Sequence, residues 1–278
     1  PGADEHAYPL YSLQDGERLR SRLLAVLESV DRDPSLVENG ALNFVVVGAG
    51  PTGVETAGAL GDMTQRTLHG VYKNLDPAKA QVYLVDMVDK VLNAFSQKSQ
   101  EYAARILEER GVQLRLGSAV KEVTASDVLL ADGTRIATRT VIWAGGLKAA
   151  SLSGHTGLKL GRGGRIDVES EFSVKGFPGV FALGDFANIS GSNGKPLPQL
   201  ASVAQQAGRY CAKNIAAVMA GESGKPFEYF DKGIMAMIGR NAAVAEVGSH
   251  RHELTGPLAF AAWLGVHAVR FGCRGRCH

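Results

Sequence analysis

The stretch Asn43-Phe44-Val45-Val46-Val47-Gly48-Ala49-Gly50-Pro51-Thr52-Gly53-Val54-Glu55-Thr56-Ala57-Gly58-Ala59-Leu60 decides the fold. Phe44 to Val47 form an unbroken apolar, mostly β-branched run, the pattern of a strand buried on both faces. The run stops at three glycines spaced G-x-G-x-x-G, and a helical pattern follows. In the order strand, turn, helix, the first glycine permits the tight turn and the second lets a pyrophosphate approach the backbone. The third lets helix and strand pack closely. The helix start adds free N–H groups and a partial positive charge suited to an anion. The spacing predicts a dinucleotide-binding turn at Gly48, Gly50, Pro51, Thr52 and Gly53, with a glycine turn that holds no ligand as the alternative.

Working outward, the next apolar run, Gln81 to Asp86, predicts a second strand and closes a βαβ unit. Asp86 ends it, where an acid binds the adenosine ribose hydroxyls and favours NADH over NADPH. Lys90 is a small counterweight to that preference. Asp86 lies 33 residues past Gly53, more than the usual spacing of about 20 from turn to acid. An extra helical stretch is therefore expected around residues 62–74. The alternative for Asp86 is a solvated strand-end carboxylate.

Upstream, residues 15–31 carry Leu19, Leu23, Leu24, Leu27 and Val30 at helical spacing, and Pro34, Asn39 and Gly40 break the pattern. Downstream, a helix is predicted over 96–110 and a strand over 112–116. Paired strands flank the Ala131-Asp132-Gly133-Thr134 turn, and a buried strand over 140–143 ends in Ala144-Gly145-Gly146. Beyond the glycine-rich 161–168, a strand is expected over 179–183, a helix over 198–219, and strands over 234–238 and 242–247. An apolar run, Leu258 to Val266, then leads to a basic end. Strands alternating with helices predict an α/β chain with a parallel sheet.

Composition narrows the function. The chain has 278 residues, 45% hydrophobic and 21% charged, with a formal charge of +2. That excludes disorder and lacks the basic excess of a nucleic-acid binder, so no nucleic-acid partner is expected. Three cysteines without a Cys-x-x-Cys spacing point to a reducing compartment and exclude a dithiol centre. Residues 258–266 fall short of the roughly 18–20 apolar residues that cross a bilayer. The histidines, including His69, His155, His250, His252, His267 and His278, have no metal-ligand spacing and read as solvated, so no metal is expected. Without a G-x-S-x-G elbow, a serine hydrolase is not supported.

Other candidates stay open on spacing alone. Glu55, in the first turn of its helix, is stabilised by the dipole without any functional role. Asp185 after Gly184 suits either a turn or a carboxylate accepting from a polyol. Gln205 and Gln206 lie on an alanine-rich helix, as surface amides or as groups beside a planar ring approached across Ala201, Ala204 and Ala207.

Five segments, NFVVVGAGPTGVETAGAL, TVIWAGG, GVFALGD, PLPQLASVAQQAG and KGIMAMIGRNAAVAEVG, occur in the order seen in type II NADH:quinone oxidoreductases, and the chain resembles that family from Pro1 to about Arg270. The resemblance implies a Rossmann-like, glutathione-reductase-type α/β flavoprotein with two dinucleotide-binding domains, incomplete at its N-terminus. FAD is the cofactor it implies and NADH the substrate; hydride passes to the flavin and electrons go on to a membrane quinone. It implies that Gly48, Gly50, Gly53 and Asp86 hold NADH, that Ala144, Gly145 and Gly146 line its path to the flavin, and that Glu55 stands beside the nicotinamide. It further implies FAD contacts at Gly184, Asp185, Ala201, Gln205 and Gln206, and places Lys232 near the flavin ring, with Glu55, Gln206 and Lys232 catalytic.

The expected domains are 1–42, a remnant of the FAD-binding domain; 43–147, binding NADH; 148–225, returning to the FAD-binding domain; and 226–278, a C-terminal region able to lie on a membrane surface. A peripheral place on the cytoplasmic face of the inner (plasma) membrane is implied, and a homodimer is left open. The chain departs from the family at Ser202, where a glutamine is usual, and it lacks the family's first G-x-G-x-x-G. Opening at Pro1 and ending in FGCRGRCH, it reads as a fragment. The rival readings are a flavin-dependent reductase with another acceptor, such as ferredoxin or oxygen, and a non-catalytic NADH-binding module.

Overall fold

In a computed structural model, residues 1–147, 149, 157–158, 160–191, 194–222 and 225–272 are described. They form two compact units, the first from 1–146 with 233–272 and the second from the described residues between 147 and 232.

The first unit opens with α1 (Ala3–His6), β1 (Ala7–Pro9) and α2 (Leu13–Arg32), followed by β2 (Asn43–Val47) and α3 (Pro51–Asp62). Then come β3 (Gln81–Asp86), α4 (Gln97–Glu109), β4 (Val112–Leu116) and the short strands β5 (Val120–Val123), β6 (Asp127–Leu130) and β7 (Arg135–Ala137), and the chain returns through β8 (Thr140–Trp143). The central sheet has the order β1-β8-β2-β3-β4 with every neighbouring pair parallel. Strand alternation sends Phe44, Val46 and Leu84 into a core with Leu27, Val54, Ala57 and Leu107 of the helices. Val45, Val47, Val85 and Val141 enter a second core with Val123, Val128, Leu130 and Ile136 of the antiparallel β5-β6-β7 sheet. Burial on both faces is why β2 has no polar alternation.

Two helices begin as their sequences dictate. Ser12 accepts from the Asp15 N–H at 3.2 Å while Asp15 accepts from the Ser12 N–H at 2.9 Å, a capping box that starts α2. Ser96 caps α4. The connection after α3 is helical only as one π-turn, Met63–Thr67, followed by turns and a 3-10 segment at Pro77–Lys79. The expected helix over 62–74 is thus reduced to a single turn.

β1 adds to the edge of this sheet against β8, which is why residues 1–42 group with the glycine-turn domain rather than apart from it. The C-terminal β11 (Gly233–Gly239), β12 (Ala242–Val247) and β13 (His252–Thr255) form an antiparallel sheet, and α6 (Gly256–Gly272) follows. These elements group with the first unit because Ala236, Ile238, Ala242 and Val244 share the core of α3 and α4. Gly58 makes that approach possible: a Cβ there would lie 1.8 Å from the Ile238 carbonyl oxygen.

The second unit contains β9 (Ile166–Asp167), β10 (Ala187–Asn188) and α5 (Ala201–Met219). Phe172, Tyr210 and Phe227 pack with ring centroids 4.9–6.0 Å apart beside α5. The strand expected over 179–183 is not formed. Phe181 makes one isolated bridge to Ser173, Val180 and Leu183 are exposed, and left-handed glycines at 179 and 184 bend the chain at both ends.

Candidate functional site: a glycine turn and a buried acid

The carboxyl ends of β2, β3 and β8 lie side by side. Successive strands run from β2 toward β4 on one side, while β8 lies on the other side of β2, so the strand order reverses there. Open α/β sheets bind ligands at such a point. Gly48 has φ 104°, and a Cβ on it would lie 2.4 Å from the Ala144 carbonyl oxygen. A Cβ on Gly53 would come within 1.7 Å of the Gly48 carbonyl oxygen. Both glycines are therefore demanded by the protein itself.

Gly50 is different. Its φ of −72° and ψ of −176° suit any residue, and a Cβ on it would meet nothing within 4 Å. Neither conformation nor packing calls for glycine there. Gly50 is also the N-cap of α3, with Pro51 next and no side-chain cap, so the first-turn N–H groups of Thr52 and Gly53 face an opening that no cap side chain fills. The residues present fit a dinucleotide pyrophosphate.

Asp86 is bound to this turn. Its Oδ2 accepts from the Ala49 N–H at 2.5 Å and its Oδ1 from the Val88 N–H at 2.9 Å. These bonds fix the carboxylate at the strand end and leave lone pairs for further donors. Lys90 is exposed. Ala144 joins the turn through its N–H to the Val47 carbonyl at 2.7 Å, with Gly145 and Gly146 just beyond.

Glu55, one turn into α3, points toward the C-terminal elements. It accepts from the Met237 N–H at 3.1 Å, and Trp263 and His267 of α6 draw its pKa down. Burial pushes its carboxyl above the ordinary range, against the pull of that bond and of those two residues. His267 had read as solvated. It is half-buried, stacked on Trp263 with centroids 4.0 Å apart, and its Nδ1 lies 2.7 Å from the Trp263 carbonyl oxygen. The i, i+4 spacing of these two rings was the available signal.

The raised Glu55 pKa has a consequence for stability. The folded state holds this proton more tightly than the unfolded chain, so the stabilisation is complete below about pH 4 and is lost as pH rises through the folded pKa. Glu55→Gln keeps an acceptor for the Met237 N–H without the buried charge. It is expected to raise the melting temperature at pH 7.5, with the gain vanishing near pH 4 in thermal melts across that range; an equal gain at both pH values would contradict it.

The second unit holds the remaining candidates. Gly184 (φ 68°) and Asp185 form a 3-10 turn against α5, and Gln199 Nε2 donates to the Asp185 carbonyl at 3.2 Å. Asp185, Ala201 and Gln205 are exposed. This turn fits the polyol of a flavin cofactor by acceptor type, with an exposed carboxylate beside a glycine. Gln206 is engaged by backbone: its Nε2 donates to the Phe230 carbonyl at 2.9 Å, and its Oε1 accepts from the Phe230 N–H at 3.0 Å. Ser202, one turn earlier, lies 2.9 Å from the Tyr229 hydroxyl. Both side chains hold the segment that ends at exposed Lys232. Cys211 is buried, and burial pushes its thiol up. His155, Cys273, Cys277 and His278 lie outside the described residues.

No metal-ligand cluster occurs among the described residues, and no helix among them is long and apolar enough to cross a membrane. On α6, Phe260 packs on Ala243 and Ala245, and Trp263 is half-buried. Leu258 and Leu264 are exposed.

A parallel sheet carrying a glycine turn at its reversal point, with an acid at the next strand end, defines a dinucleotide-binding fold. The chain belongs to the pyridine nucleotide-disulphide oxidoreductase family, whose model matches residues 1–208. Among its relatives is a type II NADH:quinone oxidoreductase of Mycobacterium tuberculosis, 36% identical over 275 residues, 95% of this chain and 58% of the relative. Another is the mitochondrial internal alternative NAD(P)H-ubiquinone oxidoreductase A1 of Arabidopsis thaliana, 31% identical, over 97% of this chain and 56% of the relative. The chain thus spans a little over half the length of these curated relatives. The fold is shared with NDH2 from Plasmodium falciparum, solved in complex with NADH. That likeness has a TM-score of 0.86 at 17% identity, over 96% of this chain and 70% of that one.

Proposed function

We propose that this chain is the NADH-binding part, with a portion of the FAD-binding part, of a flavin-dependent NADH:quinone oxidoreductase. The observation that carries the reading is Gly50, a glycine at a helix start with open space where a side chain would stand, as close approach by a pyrophosphate requires. The Gly48–Gly53 turn and the first N–H groups of α3 bind the pyrophosphate, Asp86 accepts from the adenosine ribose hydroxyls, and Ala144, Gly145 and Gly146 line the path of the nicotinamide. Glu55 stands one turn further along α3 as the acid beside the nicotinamide. In the second unit, Gly184, Asp185, Ala201 and Gln205 hold FAD, which supplies the hydride acceptor when bound. Gln206 and Ser202 fix the segment that presents Lys232 near the flavin ring. The protein's part is orientation and exclusion of water.

The acceptor is a membrane quinone. The family's quinone enzymes are among the relatives of this chain, and Leu258 and Leu264 of α6 are exposed apolar side chains that a membrane surface can take up. The place of action is the cytoplasmic face of the inner membrane, peripheral, and a homodimer is the assembly to test.

NADH is expected to bind more tightly than NADPH by about 1–3 kcal/mol, the range of a hydrogen bond to a charged group. Asp86→Ala should erase that preference in a fluorescence titration. Equal affinities for the two nucleotides in the wild-type chain would refute the role of Asp86. The broader reading is tested by an anaerobic visible spectrum of the chain loaded with FAD and desalted, before and after NADH. A retained flavin band that bleaches supports both sites. A colourless protein that still binds NADH confines the chain to nucleotide binding.

A further inference from the structure

Leu92 holds a backbone conformation that leucine rarely adopts. Its φ is 51°, in the left-handed region, where a bulky side chain is strained. Such strain persists only where the surroundings over-determine it, and it gathers at sites that need a group held in one place. The Leu92 side chain is fully buried, in the core that also takes Val46, Val54 and Leu107. Its N–H donates to the Ala49 carbonyl at 2.8 Å, and its own carbonyl accepts from the Phe95 N–H at 2.8 Å. The segment is pinned on either side of it: the Val88 carbonyl accepts from the Gly117 N–H at 3.0 Å, and the Ser96 N–H donates to the buried Glu246 carboxylate at 2.6 Å.

Ala49 is the middle residue of the turn, between Gly48 and Gly50. Its N–H is taken by Asp86 Oδ2 and its carbonyl by the Leu92 N–H, so both of its polar groups are held by β3 and the segment that follows it. The Ala49–Gly50 peptide is trans, which turns the Gly50 N–H to the side opposite the carbonyl that Leu92 holds. No acceptor among the described residues meets that N–H.

We propose that Leu92 is a positioning residue of the glycine turn: its buried side chain holds a strained N–H on the Ala49 carbonyl and so fixes the direction of the Gly50 N–H, a donor to the nucleotide pyrophosphate. The part played by the nucleotide rests on the NADH reading above; the clamp itself does not. Once the side chain is truncated, nothing holds the backbone at a positive φ. The segment relaxes, and the Ala49–Gly50 peptide is free to rotate.

The test compares the wild-type chain with three variants by NADH titration and two-dimensional amide NMR. Leu92→Ala removes the anchor, Leu92→Met keeps its volume, and Leu107→Ala opens a cavity on α4 in the same core. Leu92→Ala is expected to shift the Gly50 amide resonance and to weaken NADH about tenfold, the loss of one well-aligned hydrogen bond to a charged group. Leu92→Met and Leu107→Ala should leave both readouts as in the wild type. An unmoved Gly50 resonance in Leu92→Ala, or undiminished affinity where the wild-type chain binds NADH, overturns the proposal. A Gly50 resonance that moves only in Leu92→Ala, in a chain that binds no NADH, refutes the nucleotide reading and leaves the clamp supported. Should Leu92→Ala fail to fold, the wild-type chain carries the test. With NADH at a hundred times its Kd, hydrogen exchange of the Leu92 amide should slow about a hundredfold, because opening of that bond and binding then exclude each other. An unchanged exchange rate overturns the proposal.

Discussion

Gly50→Ala is expected to leave the chain folded with stability changed by less than about 1 kcal/mol, because the backbone there is already in a conformation alanine adopts and the unfolded state loses freedom, a gain offset by the poorer N-cap that alanine makes. The same variant is expected to weaken NADH at least about tenfold, or 1.4 kcal/mol, since a methyl group would stand where the pyrophosphate approaches the helix start. Gly53→Ala makes the opposite case. Its methyl group would lie 1.7 Å from the Gly48 carbonyl oxygen, so β2 or α3 must shift. Overpacking of that severity exceeds the usual range of about 1–3 kcal/mol. Gly53→Ala should thus lower stability and binding together, whereas Gly50→Ala separates them. Urea denaturation and NADH titration of both variants decide it: unchanged NADH affinity in a folded Gly50→Ala chain would remove the turn from nucleotide binding.

Asp62→Ala is expected to cost about 3–5 kcal/mol, the range for removing one partner of a buried ion pair. The Arg110 side chain is only 9% exposed, and its Nε donates to Asp62 Oδ1 at 3.1 Å. Asp62 Oδ2 also accepts from the Arg240 N–H at 2.7 Å, and Arg110 closes the circuit by donating to the Arg240 carbonyl at 2.9 Å. The end of α3, the end of α4 and the β11–β12 turn are therefore tied at one carboxylate. The exposed Arg66, 3.8 Å away, adds little. Asp62→Ala/Arg110→Leu should recover part of the loss, because the uncompensated charge is then gone. A loss below about 1 kcal/mol for Asp62→Ala in urea denaturation would show that water replaces the carboxylate and that the pair does not hold the C-terminal sheet.

These two predictions rest on different kinds of information. The turn was legible in the sequence because its requirements are local: a buried strand, a left-handed residue at Gly48, a contact between residues five apart at Gly53, and an acid ending the next strand. The elements around it followed from periodicity for the same reason. The strand expected over 179–183 failed because periodicity marks apolar residues but not whether a neighbouring strand exists to pair with them.

The elements flanking the turn, the parallel sheet, the glycine turn and the position of Asp86 were determined by the sequence alone, since each depends on backbone geometry and burial within a few residues. Only the tertiary structure decided what Glu55, Gln206 and Asp62 touch. Their partners, Met237, Phe230 and Arg110, lie 182, 24 and 48 residues away in the chain. No local spacing encodes such contacts. They arise because Gly58 lets β11 approach α3, because α5 carries Gln206 against the Phe230 backbone, and because a buried charge must find its partner wherever the fold places one.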